Sequence, residues 1–239
     1  MDNPGYVGLT RMKGLSDEMR VVANNIANAS TTGFRGEALV FAEVLVEAEV
    51  DGGALAMAAP RAHVTDDRPG PVAYTGGRLD LAIVGDAFFQ IQTPEGPRLT
   101  RAGAFLTDAD GAVVNAEGHA LLDAGGAPLA VPPGTRDILI GEDGAISADG
   151  QQVGQVGLFT AAPEALLRET GTRFRLDGPP DPALGATVKQ GFVEGSNVSP
   201  VEQIARLVEV QRAYELGQSF LDLEDQRQRE AVRTLGRAS

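Results

Sequence analysis

Apolar and small residues recur near the N-terminus at alternating intervals of four and three residues. The series is Gly8, Met12, Leu15, Met19, Val22, Ile26 and Ala29. This spacing places them on one face of an α-helix, in the heptad-like pattern of helices that pair with another helix. Asn3 and Pro4 supply a cap and a first-turn proline, so we predict a helix over residues 5–29.

A polar run follows the apolar series and predicts where this helix ends. Its members are Asn24, Asn25, Asn28, Ser30, Thr31 and Thr32. Asn and Ser side chains bond nearby backbone groups and weaken a helix, and glycine readily adopts the left-handed conformation. We therefore expect Gly33 to stop the helix with a positive φ and Phe34 to pack as an apolar anchor just beyond it.

A second helix is predicted at the other end of the chain. Ser199-Pro200-Val201-Glu202 is a capping box with proline at the first helical position, and the helix is expected over residues 200–234. Its apolar face is assigned to Ile204, Leu207, Val208, Gln211, Tyr214 and Leu221. We expect this helix to lie against the N-terminal one in a coiled-coil-like pair.

Between the two helices the pattern changes to short alternating apolar runs. Leu79, Leu81 and Ile83 alternate with polar or small residues, and Asp-Gly pairs separate later runs, which predicts antiparallel hairpins. The fold class is therefore α+β, with terminal helices flanking a central antiparallel β domain. The predicted divisions are an N-terminal assembly helix (1–35), an extended connector (36–75), the β domain (76–185), and a return linker with the C-terminal assembly helix (186–239). The apolar spacing of residues 36–50 fits either helix or strand.

Composition narrows the class of function. The 239 residues are 43% apolar, enough for a folded core, and contain no cysteine, which excludes thiol chemistry and disulfides. A net charge of −13 without a basic patch argues against binding to nucleic acid or anionic lipid. No stretch is long and apolar enough to insert in a membrane, and Arg11 and Lys13 interrupt any signal-peptide core.

No catalytic, cofactor-binding or metal-binding residue emerges from the motifs. His63 and His119 lie in turn-rich stretches without companion ligands at metal-site spacing. Asp108 and Asp110 match only part of a calcium loop, and a hairpin turn explains them better. The sequence has no nucleophile elbow, phosphate-binding loop or dinucleotide fingerprint, so an enzyme is not expected.

Two stretches resemble the terminal signatures of bacterial flagellar rod and hook proteins. The first runs from Val22 to Asn28 and continues through Thr31-Thr32-Gly33-Phe34. The second runs from Gly191 to Glu202 and continues with Gln211-Arg212-Ala213-Tyr214-Glu215. Both occur in one chain in the family's order, and the segment from Leu79 to Phe105 resembles the start of the family's outer domain. The opening Met1-Asp2-Asn3 and the modest length favour proximal-rod members over distal-rod members, which remain the alternative.

The resemblance implies a non-enzymatic subunit that polymerises into the tubular rod of the basal body without a cofactor. Its partners would be other rod subunits, copies of itself and the flagellar export apparatus, and it would cross to the periplasm without a cleaved signal peptide. A secreted binding module or enzyme built on the β domain is the less favoured interpretation. The predicted assembly interface comprises Leu15, Met19, Val22, Asn24, Asn25, Ile26, Asn28, Thr31, Gly33, Phe34, Ile204, Leu207, Val208, Gln211 and Tyr214.

Overall fold

The computed structural model describes residues 3–47 and 54–237. The chain divides into two compact units. The terminal unit comprises Met1–Ala27, Glu37–Asp66 and Ser199–Ser239, and the β unit comprises Asn28–Gly36 and Asp67–Val198. Each unit is therefore built from stretches that are distant in sequence.

The terminal unit contains one helix from each end of the chain. Helix α1 spans Asn3–Ala27 and helix α2 spans Pro200–Arg237. The helices contact each other and run antiparallel, since Gly8 and then Met12 of α1 lie beside Leu221 and then Gly217 of α2. The predicted α+β class with a helix at each terminus is confirmed.

The terminal unit also contains a β-hairpin that packs on α1. Strands β1 (Glu37–Glu47) and β2 (Ala54–Thr65) pair antiparallel from Glu37 opposite Thr65 to Glu47 opposite Ala54. The region expected as an extended connector thus pairs with itself, and Glu37–Glu47, for which the sequence left helix or strand open, is a strand.

The β unit contains every other strand of the described chain, and all its pairings are antiparallel. The strands are β3 (Val72–Tyr74), β4 (Leu81–Val84), β5 (Phe88–Thr93), β6 (Gly96–Thr100), β7 (Phe105–Thr107), β8 (Val113–Asn115), β9 (Ala120–Leu121), β10 (Ile138–Ile140), β11 (Ala145–Ala148), β12 (Gln151–Gln155), β13 (Leu158–Thr160), β14 (Leu166–Arg168), β15 (Arg173–Leu176), β16 (Asp181–Pro182), β17 (Thr187–Gln190) and β18 (Phe192–Glu194). One nine-stranded sheet has the central order β14-β15-β6-β5-β9-β8-β7, and in addition β13 pairs with β5 and β16 pairs with β13. A three-stranded sheet (β10-β11-β12) and two pairs of strands (β17-β4 and β18-β3) complete the β unit.

The core of the β unit consists of inward-facing apolar side chains from these short strands. Its main cluster includes Leu81, Phe89, Ile91, Leu121 and Ile146, all almost fully buried. The tight turns follow the sequence prediction. Asp149 and Gly150 both adopt positive φ between β11 and β12, the geometry of a two-residue hairpin turn.

Candidate functional site

The two terminal helices bury one face each. On α1, Val22 is buried and Leu15, Met19 and Ile26 are partly buried, as their spacing predicted. The α2 residues that are buried or partly buried at alternating intervals of four and three residues are here called the seam. They are Gln203, Leu207, Val210, Tyr214, Gly217 and Leu221. Sequence reasoning found Leu207, Tyr214 and Leu221 but missed Val210, which is only 2% exposed.

Three of the residues predicted to face α1 are instead exposed, outside the buried side of α2. Ile204 is 52% exposed, and Val208 and Gln211 are exposed too. Helical geometry explains the difference, because α2 has apolar residues on two sides and spacing alone does not distinguish the inward side. The exposed set, here called the outward stripe, comprises Val201, Ile204, Val208, Leu216, Phe220 and Leu223.

Glycines allow the helix backbones to approach closely. A Cβ built at Gly8 would lie 2.8 Å from Leu221 Cδ2, and one at Gly217 would lie 3.3 Å from Met12 Cγ. Nearer the other end of the pair, Arg206 Nε donates to Glu18 Oε1 at 2.7 Å. Apolar contact and one ion pair therefore fix the antiparallel register along the described length of the helices.

Asn25 connects α1 both to the β1–β2 hairpin and to α2. Its Nδ2 donates to the Glu37 carbonyl at 2.8 Å and to Gln203 Oε1 at 3.2 Å. Its Oδ1 accepts the Glu37 N–H at 2.9 Å. The side chain is 2% exposed, so these bonds satisfy a group that water does not reach.

Replacement of Asn25 by Ala is expected to destabilise the terminal unit by about 1–3 kcal/mol, because buried backbone groups of Glu37 lose their partner. Urea unfolding of the full-length chain, followed by helical circular dichroism, measures the loss. Lys13→Ala is the control, since Lys13 is exposed on the same helix, and its expected cost is about 0.5 kcal/mol or less. Equal losses in the two variants would contradict this role.

Helix α1 ends within the first family signature, earlier than the sequence predicted. Helix α1 ends at Ala27, and the turn after it is closed by the Thr31 N–H bonding to the Asn28 carbonyl at 3.0 Å. Gly33 does adopt a positive φ of 69°. The prediction that Gly33 ends the helix is nevertheless wrong, because α1 has already ended at Ala27. The positive φ of Gly33 instead allows close packing inside the β unit.

Gly33 and Phe34 are built into the β unit. A Cβ at Gly33 would fall under 3.0 Å from the backbone of Arg101 and Ala102, so only glycine fits there. Phe34 is 0% exposed, and the Arg168 guanidinium carbon lies 4.8 Å from its ring centroid. Phe34 therefore packs as an anchor, as expected, inside its own chain.

A buried ionic cluster joins the two family signatures within the β unit. Glu194 is 1% exposed, and its two carboxylate oxygens bind different arginines. Arg35 Nη2 lies 2.8 Å from Oε1, while Arg101 Nε and Nη2 lie 2.9 and 2.8 Å from Oε2. We call Arg35, Arg101 and Glu194, together with Asn197, the clasp.

Backbone groups complete the clasp. Glu194 accepts the Gly70 N–H on Oε1 at 3.1 Å and the Gly33 N–H on its carbonyl at 2.7 Å. Asn197 Oδ1 accepts the Gly36 N–H at 2.7 Å, and its Nδ2 donates to the Arg68 carbonyl at 2.9 Å. Three chain stretches that are far apart in sequence thus meet around one carboxylate.

The electrostatics of the clasp follow from burial and pairing. Burial lowers the pKa of the Arg101 guanidinium, and the adjacent Glu194 carboxylate opposes this by raising it. Arg101 also donates to the carbonyls of Gly85 and Ala87. The carbonyls of Asp67, Gly85 and Ala87 accept further N–H groups of the two guanidinium groups, which offsets part of the cost of burying them beside a single carboxylate.

Polar side chains outside the clasp also lie close together in both units. An open cleft of 380 Å³ in the terminal unit is lined by Asp17, Arg20, Val21, Asn24, Glu37 and His63, and Asp17 there pairs with Arg20. His119 lies beside Glu117 in the β unit. Among residues 3–47 and 54–237, no cluster of three or more His, Asp or Glu side chains is arranged to hold a metal ion. Neither helix of the described chain has the length and apolar character needed to cross a bilayer.

Comparison with known proteins identifies the family to which a chain with these paired terminal helices and this β unit belongs. "Flagella basal body rod protein" matches residues 6–35, "Flagellar hook protein FlgE/F/G D1 domain" matches 82–148, and "Flagellar basal body rod FlgEFG protein C-terminal" matches 189–234. These regions contain the quoted signatures and much of the β unit.

Full-length relatives agree with the family matches. The flagellar basal-body rod protein FlgF of Caulobacter vibrioides is 38% identical over 99% of both chains, and that of Mesorhizobium japonicum is 34% identical over 100% of both. The rod protein FlgG of Bacillus subtilis is 30% identical over 95% of this chain and 97% of its own length. The chain belongs to the flagellar basal-body rod protein family, and its similarity is to the proximal type, FlgF.

Proposed function

We propose that this chain is a non-enzymatic subunit of the proximal flagellar rod that polymerises with neighbouring subunits through its terminal helices. Full-length similarity to FlgF proteins supports the place in the rod. The observation that carries the polymerisation mechanism is the outward stripe of α2, because it leaves a second apolar face of the helix uncovered in the single chain.

The outward stripe has the character of an interaction surface. Val201 is 77% exposed and Phe220 is 50% exposed, although both are apolar and lie on one long helix. A helix that is apolar on two sides is usually buried on both, and exposed apolar patches mark interaction sites. Adjacent rod subunits would cover this stripe and remove its apolar area from water.

The helix pair itself is proposed to be coiled-coil-like. The seam repeats at four and three residues, and the α1 series repeats in the same way. We assign Leu15, Met19, Val22, Ile26, Leu207 and Tyr214 to this pair within the subunit, and Ile204, Val208 and Gln211 to contacts between subunits. Asn25, Asn28, Thr31, Gly33 and Phe34 would then act indirectly, by fixing where α1 ends and how the chain continues.

Delivery to the rod is proposed to use the flagellar export apparatus, and the finished rod would span the periplasm without insertion of this subunit in the membrane. The absence of cysteine suits a chain that passes between compartments unfolded, because no disulfide can mispair on the way. The net charge of −13 agrees with an absence of nucleic-acid partners.

Deletion of the gene tests this proposal directly. Cells that lack the chain are expected to build no hooks or filaments, because later subunits have no base on which to assemble. A plasmid copy should restore them, and cryo-electron microscopy of isolated basal bodies should locate this chain in the proximal rod. Complete flagella in the deletion strain would overturn the proposal, and density for the chain in the distal rod would move it to the alternative role.

A further inference from the structure

The clasp differs in composition from the rest of the β unit. Its segments, here called the clasp segments, are residues 33–36, 67–71 and 191–198. The main apolar cluster draws its buried residues only from positions between Leu79 and Val188, so none of them comes from a clasp segment. The clasp segments are held instead by hydrogen bonds and by charge pairing with Glu194, together with the single buried ring of Phe34.

Charge pairing makes this region depend on one residue. The Arg35 and Arg101 side chains are 7% and 4% exposed, and both pair with the single Glu194 carboxylate. Arg35 Nε is buried and has no hydrogen-bond partner within the described part of the chain. Without the carboxylate, two cations would remain buried and poorly compensated, a state that strongly favours local opening.

The order of these three residues along the chain determines when the ion pairs can form. Arg35 and Arg101 precede Glu194, so a chain delivered from its N-terminus contains both cations before it contains their partner. The backbone of the same segments also sets the chain exits, because the Asn197 N–H bonds to the Phe34 carbonyl at 3.2 Å. The segment that follows α1 and the segment that precedes α2 are thus held side by side only when residues 191–198 are present.

We propose that the clasp segments form a latch that opens and closes as one unit while the apolar core stays folded, with Glu194 as the closing residue. An incomplete chain then keeps the latch open and does not hold the two helix attachment points together. The link from latch closure to competence for assembly rests on the proposed rod function. The opening behaviour itself does not, so it is measurable on the purified chain even if the rod assignment fails.

Native-state hydrogen exchange of the full-length wild-type chain at increasing low urea concentrations tests the latch. The amides of Gly33, Gly70, Gly195 and Asn197, all bonded within the latch, should share one opening reaction. The core amides of Leu122, Leu129 and Val131 should exchange only through a rarer and larger opening. A single opening reaction shared by both groups would overturn the proposal, as would unrelated openings among the four latch amides.

Substitution Glu194→Gln in the full-length chain tests the closing residue. It keeps the shape and removes the charge, and latch amides should exchange about 100-fold faster or more while core amides keep their rates. Glu169→Gln is the control, since Glu169 pairs with Arg98 at 2.6 Å in the same unit but outside the latch, and it should leave the latch rates unchanged. Unchanged latch rates in Glu194→Gln, equal acceleration of the core, or loss of the whole fold would each overturn the proposal.

Discussion

Replacement of Gly33 by Ala is expected to destabilise the β unit by about 2–5 kcal/mol and to abolish swimming. About 1–2 kcal/mol arises because alanine is strained at a φ of 69°. A further 1–3 kcal/mol, roughly, comes from overpacking, since the new methyl group collides with the backbone of Arg101 and Ala102. Urea unfolding of the purified chain and soft-agar motility of the complemented deletion strain measure the two effects.

Gly171 offers a matched control for this experiment. It has a similar φ of 62°, but a Cβ there would meet nothing within 4 Å. Gly171→Ala should therefore show only the conformational strain, about 1–2 kcal/mol, and should preserve motility. Equal losses in the two variants would show that strain alone matters and that the close backbone approach at Gly33 has no energetic weight.

The double substitution Ile204→Gln and Phe220→Gln is expected to abolish rod assembly while the monomer keeps its stability. Both side chains are at least half exposed in the single chain, and glutamine is a good helix former, so the folded state loses little. The outward stripe, however, loses two large apolar groups that neighbouring subunits would cover. Unfolding curves and electron microscopy of basal bodies from the complemented deletion strain separate the two effects.

Arg212→Gln is the control for that variant, because Arg212 is exposed one turn from both Val208 and Leu216 but is charged, so the change removes no large apolar side chain from this face. It should assemble normally. Normal flagella in the Ile204→Gln and Phe220→Gln variant would remove the outward stripe from the assembly interface. A large fall in monomer stability would instead indicate that these side chains pack within the chain.

The terminal helices show which structural features the spacing of apolar residues can predict and which it cannot. The pattern predicted both helices and the buried side of α1, because α1 has one apolar face. It failed to assign the sides of α2, because Ile204 and Val208 are as apolar as Leu207 and Val210, and the partner decides which set turns inward. Burial of Val210 depends on the approach of α1, and a single helix sequence does not contain that information.

The region after α1 shows a different limit. The glycine conformation at Gly33 and the buried ring of Phe34 were predictable from residue type. Their partners were not, because the contacts with Arg101 and Glu194 join positions more than 60 residues apart. A buried glutamate between two arginines has no local sequence pattern, and the residues that form the clasp look like ordinary surface charges until the fold brings them together.

The clasp is also expected to determine where mechanical load enters the β unit. The chain passes between the two units after Ala27, Gly36, Asp66 and Val198. Gly36 bonds directly to Asn197, while Arg35 bonds to the carbonyl of Asp67, so three of these passages lie within the clasp. Tension applied through α2 is expected to reach the β unit at Val198, next to Asn197, and tension applied through α1 is expected to pass along residues 28–33 to the clasp. The nine-stranded sheet would then carry little of that force, and its strands would stay paired under load.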